Sequence, residues 1–214
     1  MKKTLFLALM LVIGATAFAQ QQMATLNHND TITVFYGHYA LKDAHNAAVA
    51  GDIVTLSPGT FEKCDITKPI TLRGAGATID TISGTFPTII SGDFKLSIYE
   101  HPEYCLTMEG IYINNSMRII SIYNAKFIKC FIYDMGSEKF YSSINAEGIE
   151  LYNCIIRRLQ QTNNATLSTK YTLINTYAYV ADLSIQTTLI NSYVVLYTST
   201  TNNYSIIKHL SAYN

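Results

Sequence analysis

The chain has 214 residues, with 15 basic and 15 acidic side chains, 16 tyrosines and no tryptophan. Balanced charge leaves no electrostatic footprint for a nucleic-acid partner, and the length suits one domain behind a short leader. Apolar residues make up 49% of the chain, too many for a disordered segment.

The first segment sets the expected compartment. Lys2 and Lys3 precede an apolar run from Leu5, and Ala17-Phe18-Ala19 supplies small residues at the spacing that signal peptidase cuts. Residues 1–19 are therefore predicted to be a cleavable signal peptide. The protein is expected to leave through the general secretory pathway for the periplasm, cell surface or medium of a Gram-negative envelope. The leader is too short to span a bilayer, and no later run is long enough. No membrane span is expected. Cysteines stand at 64, 105, 130 and 154, and export would permit disulfides.

Residues 20–52 read as an N-terminal strand and a capping helix. Thr31–Tyr36 is β-like. In Tyr39–Gly51, Leu41, Ala44, His45 and Ala48 share one face at helical spacing, which predicts about three turns ending at Gly51. His45 is expected to be packed there rather than to bind a ligand. Residues 53–214 then change period. Ile53–Leu56 is a strand, Ser57–Thr60 a turn, and Phe61, Ile66 and Pro69–Leu72 further short strands before a turn at Gly74–Ala77.

One pattern recurs later: apolar, any, Asn or Lys, small, any, apolar. It fits Phe127–Ile132, Leu151–Ile156, Leu173–Ala178 and Leu189–Val194, at spacings of 24, 22 and 16. The third position predicts a bend, with Asn153, Asn175 and Asn191 stacked at one corner; Lys129 departs from it, so the ladder is expected to start one coil later. The small fourth position turns inward. This stacks Cys130 on Cys154, with side chains pointing the same way and poorly oriented for a disulfide; two free thiols are expected. Glu109-Gly110-Ile111 and Glu147-Gly148-Ile149 also echo each other.

The run Leu41–Ala44, Ala47-Ala48, Gly51–Phe61 and Ile66–Gly74 resembles the N-terminal cap and first coils of the pectate-lyase-like superfamily. That resemblance implies an all-β fold, a right-handed parallel β-helix (solenoid) of about seven coils with a short N-terminal capping helix. It does not fix a function, because lyases, esterases, hydrolases and non-catalytic proteins share the fold.

Enzymes of this fold gather carboxylates in a groove on an outer sheet, beside a basic residue. The candidates here are Glu109, Glu147, Glu150, Arg157 and Arg158, with Glu109 and Glu147 expected to face the same way. The aspartate-rich calcium site and arginine motif of pectate lyases are absent, as are the Asn-Thr-Asp and Gly-His-Gly of polygalacturonases. The histidines form no metal spacing. No cofactor is expected, and Ca²⁺ would enter only on the lyase reading.

Tyr152, Tyr177 and Tyr193 are the candidate ligand-binding residues, since aromatics on a flat sheet hold sugar rings or a partner protein. The leading expectation is a secreted, non-catalytic β-helix that binds glycan or another surface component. The alternatives are a small polysaccharide lyase or hydrolase acting on acidic glycans, and a structural or adhesive spacer. Nothing after Ile206-Ile207 reads as a cap. The last coil is therefore expected to pack end to end in a homodimer, unless Tyr204, Leu210 and Tyr213 fold over it.

Overall fold

Short strands of alternating burial, separated by tight bends, wind the chain into a parallel β-solenoid of about five turns. The computed structural model describes residues 21–137, 145–160, 170–179, 186–198 and 203–209; residues 1–19, expected to be a leader, lie outside them. The N-terminal end is a hairpin of β1 (Met23–His28) and β2 (Thr31–Tyr36), turned by Asn29 and Asp30 at positive φ, followed by α1 (Ala40–Ala47). β1 pairs antiparallel with β3 (Ile53–Leu56), where the solenoid begins.

The coils present three faces. The first stacks β3, β5 (Thr71–Arg73), β8 (Leu106–Glu109), the end of β9 (Ile111–Ile128), β11 (Asn145–Tyr152), β14 (Lys170–Ile174) and β16 (Gln186–Ile190). The second stacks β4 (Gly59–Glu62), β6 (Thr88–Ser91), the starts of β9 and β10 (Phe131–Ser137), β12 (Ile155–Ile156), β15 (Tyr177–Tyr179) and β17 (Ser192–Thr198). The third stacks β7 (Phe94–Ser97), the middle of β9, the rest of β10 and β13 (Leu159–Gln160), with Ile66 bridging to Leu96. Seven rungs on two faces but five on the third turn the expected seven coils into about five complete ones. Later third-face segments lie outside the described residues.

The interior is built from columns one rung, about 4.8 Å, apart. Val54, Leu72, Met108, Phe127, Leu151 and Leu173 form one; Phe61, Ile90, Ile113, Ile132, Ile156, Ala178 and Val194 form another; both are buried. The repeat residues Phe127, Leu151, Leu173 and Leu189 sit in the register that their spacing predicts.

The bend between the first and second faces repeats in detail. Gly110, Lys129, Asn153, Asn175 and Asn191 all hold φ between 48° and 62°. Each of the first four sends its backbone N–H to the carbonyl that ends the next first-face strand, at 2.9–3.0 Å. The asparagines of the ladder are Asn153, Asn175 and Asn191, and Lys129 one rung earlier makes the same bend, because the backbone hydrogen bond sets it and not the side chain. Asn191 Nδ2 adds a bond to Asn175 Oδ1 at 2.8 Å.

The next residue in each coil turns inward, giving the buried column Thr88, Ile111, Cys130, Cys154, Thr176 and Ser192. The small polar groups among them satisfy carbonyls that the bend aims into the core. Cys154 Sγ donates to the carbonyls of Phe127 and Tyr152, both at 3.3 Å. Thr176 Oγ1 does the same to Leu151 and Ile174 at 2.9 and 3.0 Å, and Ser192 Oγ to Leu173 and Ile190 at 2.9 and 2.8 Å. Cys130 Sγ reaches the carbonyls of Met108 and Ile128. All four cysteines are free thiols. Contact with Cys154 and burial hold the Cys130 thiol well above its usual range.

The cap differs in detail from expectation. α1 spans only Ala40–Ala47, because Ala48 is already extended. Lys68 ends it, its Nζ donating to the carbonyls of His45, Asn46 and Ala48 at 2.9, 2.9 and 2.6 Å. Gly51 takes its positive φ in the following turn instead. Ala40, Leu41 and Ala44 plug the first coil, and His45, 3% exposed, accepts the Thr67 N–H through Nε2 at 3.2 Å. At the far end, β18 (Asn203–His209) folds back antiparallel on β17. Ile206-Ile207 thus lies on a strand that covers β17, and the outer edge of β18 has no strand paired to it among the described residues. Leu210 and Tyr213 lie outside the described residues. No helix among the described residues is long and apolar enough to cross a membrane.

These contacts set two expected outcomes. Cys154→Ser keeps a donor to the Phe127 and Tyr152 carbonyls and should hold stability in urea unfolding, while Cys154→Val removes that donor, leaving Tyr152 O with the Lys129 N–H, and should lose about 1–3 kcal/mol; equal stability of the two would refute the donor role. Burial, with Lys68 beside it, lowers His45 from 6.5 to about 4. The unfolded chain then binds the proton first, so stability is full above pH 6.5 and drops by on the order of 2–3 kcal/mol as pH falls towards 4. His45→Gln should flatten this part of the acid limb in pH-dependent melts.

Candidate functional site

Outward positions on the second face alternate with the core column and fall into line in the same way. Thr60, Ile89, Tyr112, Phe131, Ile155, Tyr177 and Tyr193 are in register, rung upon rung. Six of the seven are aromatic or aliphatic, and the stripe runs about 29 Å at six rung spacings. Ile155 is 44% and Tyr177 40% exposed. Tyr177 and Tyr193 stack face to face, with centroids 5.3 Å apart and planes 8° from parallel; Tyr112 and Phe131 meet edge to face at 4.9 Å and 76°. A parallel pair spends two ring faces on itself and turns edges outward. A T-shaped pair leaves one ring with both faces free of its partner.

Of the expected tyrosines, Tyr177 and Tyr193 are thus brought together and Tyr152 is not. Tyr152 precedes the corner, on the outer side of the first face, where its hydroxyl donates to Glu150 Oε2 at 2.9 Å. Sequence reasoning missed Ile89, Tyr112, Phe131 and Ile155. The signal was the residue two places after each bend, which varies in type while staying large and apolar.

Beside this stripe a groove of about 640 Å³ runs along the first-to-second-face corner. Arg73 and Glu109 stand on its first-face side, Phe131 and Ile155 on its second-face side, and Gly110, Lys129 and Asn153 along the corner between them. The excursion between β5 and β6 overhangs it through Ala75–Thr78. That wall is firmly tied. Gly76 N donates to Gly110 O at 3.0 Å, Ala75 N to Thr88 Oγ1 at 2.8 Å, and Thr88 Oγ1 to Ser57 O at 2.9 Å. Gly74 is required for the approach, since a Cβ there would lie 2.4 Å from Gly110 O.

The candidate catalytic residues are dispersed. Glu109 aligns with Ile128 and Tyr152, whereas Glu147 aligns with Tyr123. The two Glu-Gly-Ile runs therefore turn different corners: Gly110 sits between the first and second faces, and Gly148, at φ 65°, between the third and first. Glu109 pairs with Arg73 at 3.8 Å and Glu150 with Lys126 at 3.6 Å. Arg157 lies over the Tyr133 ring at 4.4 Å, and Arg158 pairs with Asp134 at 3.7 Å, both at the second-to-third-face corner. Burial pushes the Asp134 carboxyl up against the opposing pull of Arg158. Among the described residues, no three His, Cys, Asp or Glu side chains are grouped to hold a metal ion.

No family model matches the chain, and neither any curated protein nor any solved structure proves similar to it.

This dispersal gives an expected outcome for catalysis. Mature protein with polygalacturonate and Ca²⁺ should release neither unsaturated product nor reducing ends. Turnover that disappears in Glu109→Gln or Arg157→Ala would reverse that expectation.

Proposed function

We propose that the protein is an exported, non-catalytic β-helix of the pectate-lyase-like type that binds glycan on an extracytoplasmic surface. The observation that carries this reading is the stripe from Ile89 to Tyr193 beside the corner groove. A row of large apolar side chains on a flat, regular face has no role in the core, which lies on the other side of the strands. Spaced about 4.8 Å apart along one direction, it suits an extended chain of rings rather than one compact ligand. The Tyr112–Phe131 end, where a ring face is free and polar groups of the groove are close, supports a sugar over a purely apolar partner. Export is supported by Lys2, Lys3, the apolar run and Ala17-Phe18-Ala19. Any end-to-end pairing of two copies through the C-terminal coil would use the outer edges of β16 and β18, to which no further strand is paired among the described residues.

Affinity electrophoresis of the mature protein through gels cast with soluble glycans tests the reading. Retardation by at least one glycan is expected, with a tenfold or larger weakening, about 1.4 kcal/mol, in Tyr112→Ala and Phe131→Ala. Unretarded migration in every glycan, or retardation unchanged in both variants, would remove the stripe as a glycan site.

A further inference from the structure

We infer that the protein pairs with a second copy of itself through β2, the edge strand of the N-terminal hairpin, in a two-fold arrangement centred on Val34. This pairing lies at the end of the solenoid opposite the C-terminal coil and involves neither the second-face stripe nor the corner groove. β2 is bonded to β1 on one side, and among the described residues no strand is paired to its other side. Thr31 to Tyr36 include no charged residue, proline or glycine, and the register with β1 runs without a bulge. Charges, prolines and bulges are the devices by which an open edge resists pairing, and β2 has none of them. β-branched and aromatic residues fill it instead, the types that suit a paired strand.

The hydrogen bonds fix which groups this edge offers. Gly37 donates its N–H to Gln22 O at 2.8 Å, one step beyond the pair Met23–Tyr36. Bonded and non-bonded pairs alternate along an antiparallel ladder. The bonded pairs are therefore Phe35 with Ala24, Thr33 with Leu26 and Thr31 with His28, and these residues of β2 spend their backbone groups on β1. The N–H and C=O of Ile32, Val34 and Tyr36 point the other way, to the open edge. The side chains of the same three residues stand on the outer side of the hairpin, 67%, 39% and 61% exposed. Phe35, in the opposite row, packs against the core.

This edge is its own complement. A two-fold axis normal to the sheet at Val34 sets two β2 strands antiparallel, with Val34 opposite its own copy and Ile32 opposite Tyr36 on either side. Each opposed pair then exchanges two backbone hydrogen bonds, so no free N–H or C=O of the three residues is left over. On the outer side the axis doubles the apolar row, and on the inner side it sets Thr33 beside Phe35. Because the strand is uncharged, no like charges meet across the axis. An axis at Thr33 fits less well, since it would set Tyr36 against Asp30, which lies in the hairpin turn at φ 62°. The open edge of β16 is also a poorer partner. β2 and β16 both run parallel to β3, so stacking head to tail would form a parallel ladder, the weaker kind, and would repeat without closing. The self-match singles out a second copy, because a foreign strand would take the same bonds without requiring it.

Sedimentation velocity of the mature protein across a concentration series should show a reversible monomer–dimer equilibrium and no larger species. Val34→Lys sets two ammonium groups against each other at the axis and should weaken dimerisation about tenfold or more, while Val34→Thr keeps the branching and the backbone bonds and should stay within about twofold of wild type. Both should retain the wild-type circular dichroism, since Val34 is an edge residue with its outer side in solvent. Cysteine crosslinking then reads the register without relying on either variant. Directly opposed bonded residues lie about 5.5 Å apart, within disulfide reach. Val34→Cys should therefore give a covalent dimer on mild oxidation, and Ile32→Cys should crosslink with Tyr36→Cys but not with itself; wild type, with its native thiols, should give none. A protein that stays monomeric at every concentration, a dimer indifferent to Val34→Lys, or Ile32→Cys crosslinking to itself overturns the inference. Open-ended polymers overturn it too, in favour of head-to-tail stacking on β16.

Discussion

At the corner between the first and second faces, a residue in the left-handed region turns the strand while its N–H reaches up to the next coil. The rest of the coil is built around that single bend. It sets two carbonyls against the next side chain, the strand-end one already accepting a corner N–H, and a donor there adds a bond to each. The next side chain is small and able to donate in four of these five rungs, Ile111 after Gly110 being the exception. Cysteine, threonine and serine meet both demands, which explains why Cys130, Cys154, Thr176 and Ser192 alternate freely in one column. A disulfide between the two cysteines would consume the protons that they donate to these carbonyls. The two thiols are structural donors, buried in the core.

The same bend explains what could be read from the sequence. Inward positions answer to packing and backbone satisfaction, so they repeat in kind, and the register from Phe127 to Leu189 comes directly from them. The Asn-small pair likewise marks the corner wherever it occurs. Lys129 makes the same bend without being asparagine, because residue type is only a proxy for backbone conformation. The Glu-Gly-Ile echo misled for a related reason. Glycine marks a bend but not which bend, and a triangular coil has three. Only strand pairing distinguishes Gly110 from Gly148.

Outward positions answer to no shared packing rule, and so the stripe on the second face was legible only for the two coils that both use tyrosine. Ile89, Tyr112, Phe131 and Ile155 share bulk and apolarity but no chemical identity. Recognising them requires knowing the rung to which each belongs. The groove was hidden more deeply still. Its overhanging wall is an excursion between β5 and β6 that read as a simple glycine turn, and its depth depends on Gly74 approaching Gly110 more closely than any side chain would permit.

A solenoid gains stability mainly from contacts between neighbouring rungs, so a local departure need not disturb distant coils. This permits a division of labour along the axis. The later coils are the regular part, with Asn153, Asn175 and Asn191 at the corner and Cys, Thr or Ser behind it. The earlier coils break the pattern three times: in the β5–β6 excursion, in the Gly74–Gly110 contact, and in lysine at a left-handed position. All three departures border one groove. The first two are tied together by hydrogen bonds and close contact, so they could be explained as architecture alone. Lysine at the corner cannot, because asparagine performs its backbone duty one rung later with less strain.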